Sequence, residues 1–265
     1  MNPVSISVVC PTYNSETFIE TTLKTVFNQS HCVDELLVCD DGSTDNTVRQ
    51  VKRICNDLDG KIKYRVLVNS HQGPGATRNS GIKAAESEWI AFLDSDDVWE
   101  SDKIKRIVEV IDANPDVNFI CHNEYKVNKK GEKSLLDYGV RYQNNKPLIE
   151  QVYHANMFST STIVCKRSLL LECGLFNEDL MSAQDYELWL RLSPYINVCF
   201  LQEVLGNYIE REGNITSGNL FKRFKNELKI AFMHRNLVSF SGQLKRVARI
   251  ILSYIRQFIK RFVNT

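Results

Sequence analysis

Apolar residues in the first hundred positions come in short runs separated by segments of helical spacing. Ile6–Thr12 is an apolar run ending at Pro11 and Thr12, a buried strand meeting a loop. Phe18, Ile19, Thr22, Leu23, Val26 and Phe27 recur at helical spacing, with Asn14 or Ser15 placed to cap them. Glu35–Asp40 reads as a second strand, and Val48, Val51, Ile54, Cys55 and Leu58 mark a second helix. A third strand is expected over Ile62–Asn69. A third helix is expected from Arg78 to Ala85, after the glycines at 73 and 75. Trp89–Leu93 reads as a fourth strand. A helix follows over Asp102–Ala113, with Ser101 as its cap and Pro115 beyond its end.

Strand and helix in this alternation imply an α/β fold with a mostly parallel central sheet and helices on both faces. Ligands of such sheets bind at the carboxyl ends of the strands. The second half is less regular. Phe119–Val127, Ser161–Lys166 and Val198–Ile209 read as strands, Asp185–Leu192 as a helix, and the polar stretch Asn128–Lys146 as a loop. The expected organisation is one domain over residues 1–219, with halves at 1–100 and 101–219, and a helical tail over 220–265.

Charge sharpens that last boundary. The 265-residue chain has a net charge of +1, so the whole molecule is no polyelectrolyte binder. Residues 220–265, however, carry eleven Lys or Arg against the single acid Glu227, leaving the tail at +10 and the rest at −9. Within the tail, Val247, Ile250, Ile251, Tyr254, Ile255, Phe258, Ile259 and Phe262 form one apolar helical stripe. Arg246, Arg249, Arg256, Lys260 and Arg261 occupy much of the remainder. Such a helix packs on its own domain, on a second subunit as in a homodimer, or on an anionic membrane surface. No nucleic-acid recognition motif accompanies the charge, so that partner is not expected. Eight cysteines are scattered with no Cys-x-x-Cys pair, several inside apolar runs. They indicate a reducing compartment and no cysteine metal site. With no visible signal peptide and no apolar segment long enough to span a bilayer, a cytoplasmic location is expected, and the tail adds the option of peripheral attachment to the membrane's cytoplasmic face.

Four polar clusters fall at the expected strand ends: Pro11-Thr12-Tyr13-Asn14, then Asp40-Asp41-Gly42-Ser43-Thr44-Asp45, then Gly73 to Gly81, then Asp94-Ser95-Asp96-Asp97. A parallel sheet brings all four to one edge. Three carboxylates within four residues repel unless a cation sits among them, and Mg²⁺ or Mn²⁺ prefers such oxygen ligands together with phosphate oxygens. The other reading is a solvated acidic turn. Asp41 at a strand end suits a nucleobase N–H or a ribose hydroxyl, and Gly42 lets backbone approach closely. Ser43 or Thr44 is placed to cap the next helix. Gly73-x-Gly75 lacks the third glycine of a dinucleotide fingerprint, since Arg78 stands there. An arginine at a helix start suits a pyrophosphate.

Together these clusters resemble the family 2 glycosyltransferases, whose fold is called GT-A, over about residues 6–209. The resemblance implies an inverting transfer of a sugar from a nucleotide diphosphate donor, with UDP favoured, to an acceptor hydroxyl. A glycan or lipid-linked glycan of bacterial surface polysaccharide synthesis is the implied acceptor. It implies that Pro11 and Tyr13 line the nucleobase pocket, with Asn14, Asp40 and Ser95 beside the nucleotide and Asp41 on the base. Asp94 would approach the ribose or a metal-bound water, Asp96 would ligate Mn²⁺ or Mg²⁺, and Arg78 would help close the site. In Ser182–Arg191 the family usually has an acidic pair where this chain has Gln184 and Asp185; Asp185 would be the base. A helix-terminal acid complementing the helix dipole is the other reading of Asp185. Glu187 reads as structural and Trp189 as core. Tyr208–Ser217 resembles a family segment in which a basic residue, often histidine, follows tyrosine by three. Here it is Arg211, which suits a phosphate but has no lone pair for a metal. A nucleotidyltransferase, or a catalytically silent sugar-nucleotide binding protein, is the alternative; the loss of the acid at Gln184 favours the latter.

Overall fold

The computed structural model describes residues 3–57, 62–211 and 220–263. The strands are β1 Ile6–Thr12, β2 Glu35–Asp40, β3 Lys63–Val68, β4 Trp89–Phe92, β5 Val98–Trp99, β6 Phe119–Val127, β7 Lys133–Leu136, β8 Ile163–Lys166 and β9 Val198–Ile209. The helices are α1 Ile19–Phe27, α2 Thr47–Asp57, α3 Pro74–Ala84, α4 Lys103–Ala113, α5 Leu148–His154, α6 Arg167–Glu172, α7 Gln184–Leu192, α8 Leu220–Met233 and α9 Phe240–Val263.

Among the described residues the strands form a single sheet in the order β3-β2-β1-β4-β8-β6-β9-β5, with β7 on β6. β1 pairs in parallel with both β2 and β4, and β2 with β3. β8 enters antiparallel between β4 and β6, and β6 and β9 run parallel again. Six strands (β1 to β4, β6 and β9) therefore share one direction. β1, β2 and β4 are almost wholly buried on both faces, as their continuous apolar runs require.

Two cores lie on opposite faces of the sheet. One joins α1, α2 and α4 to Val8, Cys10, Leu36, Val38 and Ala91. The other joins α3, α5, α6 and α7 to Val9, Leu37, Cys39, Phe92 and Phe119, and takes in Ile230, Ala231, Ile250 and Tyr254 from α8 and α9. α3 lies close on the sheet through Gly81, where a Cβ would meet Cys39 Sγ and Val9 Cγ1, each at 2.7 Å. All eight cysteines are free.

Several local expectations need correction. α3 begins at Pro74, whose fixed φ and missing N–H suit a first turn, so Arg78 sits one turn inside the helix rather than at its start. Neither Asn14 nor Ser15 caps α1 through its side chain; the Ser15 carbonyl takes the amides of Phe18 and Ile19 instead. Asp45, not Ser43 or Thr44, receives the first amide of α2, from Thr47 at 2.9 Å. Ser101 does not cap α4, whose preceding residue is Asp102. The expected loop 128–146 contains β7 and a 3-10 turn, Gly139–Arg141. The expected Leu58 end of α2 lies outside the described residues.

The apolar stripe of the tail is divided. Ile250 and Tyr254 of α9 are buried against the domain, while Val247, Ile251, Ile255, Phe258 and Ile259 are exposed. Phe262 lies outside the described side chains. No helix among the described residues is long and apolar enough to cross a membrane.

Candidate active site

The carboxyl ends of β1, β2 and β4 enclose a cleft of about 570 Å³. Pro11, Tyr13, Asn14, Asp41, Arg78, Asp94, Ser95, Asp96 and Arg211 all line it, so the residues expected from scattered positions in the chain are brought together. His71, Pro74, Met181 and Tyr208 are among the other wall residues. His71 is a residue that sequence reasoning missed. It stacks on Tyr13 with ring centroids 4.4 Å apart, and its Nδ1 lies 2.9 Å from Asp41 Oδ2. Its only sequence signal is its place in the loop between β3 and α3.

The two aspartates at the end of β2 have divided roles. Asp40 is 1% exposed and does not line the cleft. Its carboxylate accepts the amides of Gly42 and Ser43 and the hydroxyls of Thr12 and Ser43, tying the turn together. Gly42, at φ +76°, supplies the left-handed residue of that turn. Asp40 therefore holds the turn together, which leaves Asp41 as the acid of this pair on the cleft wall. Asp41 lies in the cleft and accepts the amides of Gln72 and Gly73 at 2.9 and 3.0 Å, which fixes the β3–α3 loop against β2. Asn14, at φ +46°, accepts the Thr44 amide at 2.9 Å through its side chain. Ser95 bonds Ser15 through their hydroxyls at 3.0 Å, and its carbonyl receives the Thr22 hydroxyl.

The acidic cluster after β4 splits in the same way. Asp94 pairs with Arg78, whose guanidinium also lies over the Phe176 ring. Asp96 pairs with Arg211 at 2.7 and 2.8 Å, and Arg211 stacks on Phe18 with its guanidinium carbon 3.5 Å from the ring centroid. Burial, followed by the charge of Asp94, pushes the Asp96 carboxyl above the usual range. Asp97 turns away from the cleft. It accepts the Ser161 hydroxyl at 2.5 Å and the Ile209 amide at 3.2 Å, joining the loop after β4 to the turn before β8 and to the end of β9. The mutual repulsion of three carboxylates is thus met partly by two arginines and partly by separation.

Asp185 lies elsewhere. It opens α7 after Ala183, which is left-handed at φ +58°, and it lines a separate cavity of about 360 Å³. Burial raises its carboxyl above the ordinary range, although the Tyr186 amide and the charge of Arg78 act the other way; Asp94 adds to the rise. Asp185 is thus within electrostatic reach of the cleft's ion pair while facing a different space. Gln184 is 5% exposed, and its Oε1 has no hydrogen-bond partner among the described residues. Glu187 accepts from Arg191 and His234, a structural role. Trp189 is fully buried among Phe92, Phe119, Phe158 and Phe176, in the core. Of the segment Tyr208–Ser217, residues 212–217 lie outside the described residues.

Among the described residues no three His, Cys, Asp or Glu side chains are grouped to hold a metal. Asp94 and Asp96 nevertheless fit a hard divalent ion. Such an ion commonly takes one or two carboxylates and completes its shell with phosphate oxygens and water. The raised Asp96 carboxyl beside the Asp94 charge is the repulsion that a cation relieves.

The family model described as glycosyl transferase family 2 matches residues 7–172. The chain belongs to glycosyl transferase family 2. Its mostly parallel α/β sheet is that of the GT-A fold, as the sequence led us to expect. An Escherichia coli relative named as a UDP-Glc:α-D-GlcNAc-diphosphoundecaprenol β-1,3-glucosyltransferase is 30% identical over 230 residues, covering 86% of this chain and 85% of the relative. An uncharacterized glycosyltransferase of Rickettsia conorii is 35% identical over 73% of this chain, and the chain spans 31% of that relative's length. Among solved structures, residues 1–349 of Staphylococcus aureus TarS in complex with UDP-GlcNAc superpose with a TM-score of 0.72 at 24% identity, over 94% of this chain and 72% of that TarS fragment. A Pyrobaculum calidifontis mannosyltransferase in complex with GDP-Man and Mn²⁺ gives 0.68 at 16% identity, over 94% and 69%. These two likenesses establish the fold.

Proposed function

We propose that this transferase moves a sugar from a UDP-sugar to a hydroxyl of a glycan or lipid-linked glycan, in one displacement that inverts the anomeric centre. The observation that carries the reading is Asp185, an acid on a cavity whose wall includes Ser182, the chain neighbour of Met181 on the cleft wall. That is where a base serving an acceptor must stand if the donor fills the cleft. Tyr13, Pro11 and Asp41 hold the nucleobase, with His71 stacked behind Tyr13. Asp185 takes the proton of the acceptor hydroxyl, whose oxygen forms the new bond to the anomeric carbon. The bond from that carbon to the diphosphate breaks on the opposite face. Arg78 and Arg211 stabilise the charge gathered on the leaving diphosphate. A divalent cation held by Asp96 and Asp94 would supply further neutralisation there. The acceptor class is supported by the name of the Escherichia coli relative, which covers most of both chains.

We further propose that residues 220–265 form a basic appendage to the catalytic domain 1–219 and lie against an anionic membrane. The exposed apolar residues of α9 and the tail's charge of +10 support a surface that is both apolar and cationic.

The test is nucleotide release with Mn²⁺ from a panel of UDP-, GDP- and dTDP-sugars, with and without Asp96→Ala. Release from a UDP-sugar, lost in the variant, is expected. Release from no donor in the presence of glycan acceptors would sink the reading in favour of a silent binding protein.

A further inference from the structure

The cavity at Asp185 shares no wall residue with the nucleotide cleft. It is bounded by Asn156 after α5, Tyr186 of α7, Arg223 and Glu227 of α8, and Arg246 and Arg249 of α9. A second cavity of about 470 Å³ adjoins it, sharing Ala155 and Arg249 and adding Arg141, Lys146, His154 and Lys245. Arg249 stands where the two meet.

Cations outnumber acids in these walls, with Arg141, Lys146, Arg223, Lys245, Arg246 and Arg249 against Asp185, Glu150 and Glu227. Arg246 is 5% exposed and donates to the His154 carbonyl at 2.9 Å and to Glu227 at 3.0 Å, but its buried Nε has no partner. Glu227 is also held by the Tyr254 hydroxyl at 2.9 Å. Arg249 is half-buried and makes no hydrogen bond or ion pair among the described residues. Burial, then the charges of Arg141 and Arg246, hold its guanidinium below the usual arginine range. The His154 imidazole is lowered by burial, then by Arg249, Arg246, Lys245 and Arg141. The acids in the two walls besides Asp185 are Glu227 and Glu150. Like charges gathered in a partly dry site repel one another, and an anion between them removes the repulsion.

We propose that Arg141, Arg246 and Arg249 form an anion subsite that holds the phosphate or diphosphate of the acceptor while its sugar hydroxyl reaches Asp185. This rests on the reading of Asp185 as the acceptor's base. The donor's diphosphate has its own arginines, Arg78 and Arg211, in the cleft, so this second cluster serves a second anion. Guanidinium forks match phosphate oxygens two at a time, and the two cavities together are large enough for a phosphorylated sugar. Along α9 beyond Arg249, Leu252 and Ile255 are about half exposed, an apolar path for a hydrocarbon chain on the acceptor.

The test is calorimetric titration of the full chain with geranyl diphosphate, with UDP kept saturating so that the nucleotide cleft is filled. Arg249→Gln and Arg141→Gln remove one charge each from groups that make no hydrogen bond or ion pair among the described residues, and thermal unfolding checks that both variants fold as the parent does. Geranyl diphosphate is expected to bind the parent, with affinity falling about tenfold or more in each variant. Unchanged affinity in both variants would overturn the subsite. So would a site that binds inorganic pyrophosphate but from which geranyl diphosphate cannot displace it, since that is a free-anion site. If instead Asp185→Asn keeps full turnover while Arg249-dependent binding persists, the catalytic reading fails and the subsite stands.

Discussion

At the residue scale, Asp185 makes opposite demands on activity and stability. Its raised carboxyl must be ionised to accept a proton, so turnover should rise with pH through a limb lying above the usual carboxylate range. Asp185→Asn should lower kcat by about 10²–10⁴-fold and remove that limb, with nucleotide affinity unchanged. The sign for stability is reversed. A carboxyl raised in the folded state is destabilised there once ionised, so at neutral pH the same substitution should raise the melting temperature. A pH–rate profile beside a melting curve reads both; a variant that loses stability and activity together would mean that Asp185 is a structural helix acid. Arg211 makes a different kind of contact. It covers Asp96 and lies on Phe18, so Arg211→Ala should raise the donor KM by roughly tenfold, the loss of one charge-assisted contact of ~1.4 kcal/mol. An unchanged donor KM would remove Arg211 from the diphosphate site.

At the scale of elements, the site depends on how α3 and α7 are seated. α3 carries Arg78 and rests on β1 and β2 through Gly81. Gly81→Ala should destabilise the fold by ~1–3 kcal/mol, because the new methyl meets Cys39 and Val9 side chains with no space between. α7 carries Asp185 and is tied to the segment after α8 by Glu187, which bonds Arg191 and His234. Burial alone would raise the Glu187 carboxyl, but the hydrogen bonds from His234 and Arg191 lower it overall. Its contribution is therefore present above the ordinary glutamate range and lost as pH falls through the lowered value. Glu187→Gln should cost ~3 kcal/mol near neutrality and flatten the acid arm of the stability profile, measured by denaturant titration. These elements also mark what the sequence makes legible. β1, β2 and β4 are buried on both faces and so leave continuous apolar runs, with their functional residues just beyond the ends. β5 is two residues long and β7 is an exposed edge strand, so neither leaves an apolar pattern. The different fates of Asp40 and Asp41 were not legible, because adjacent residues at a strand end point opposite ways and either could face the cleft. His71 was missed because one polar residue in a polar loop carries no signal until its ring meets Tyr13.

At the scale of the whole molecule, the question is what the tail faces. Helical periodicity gave one apolar stripe, yet α9 spends it on two surfaces. Ile250 and Tyr254 are packed on the domain, and Val247, Ile251, Ile255, Phe258 and Ile259 remain in solvent. Periodicity cannot divide a stripe wider than one contact. Single exposed apolar residues are ordinary, but a row of five on one helix, within a segment of charge +10, has the character expected of the interaction surface proposed above. An anionic bilayer meets both features at once, since the apolar side chains enter the acyl boundary while the basic ones meet the headgroups. Each basic residue near such a surface contributes ~1 kcal/mol, and salt screens that share but not the apolar one. The full chain should therefore sediment with vesicles containing phosphatidylglycerol and not with vesicles of phosphatidylcholine alone. Ile251→Asp with Ile259→Asp should abolish sedimentation at low salt, while leaving turnover on a short-chain acceptor in solution intact. If the double variant still sediments, or if the parent forms a dimer that the variant does not, the face belongs to a second copy of the chain. The acceptor would then have to reach Asp185 without help from the membrane.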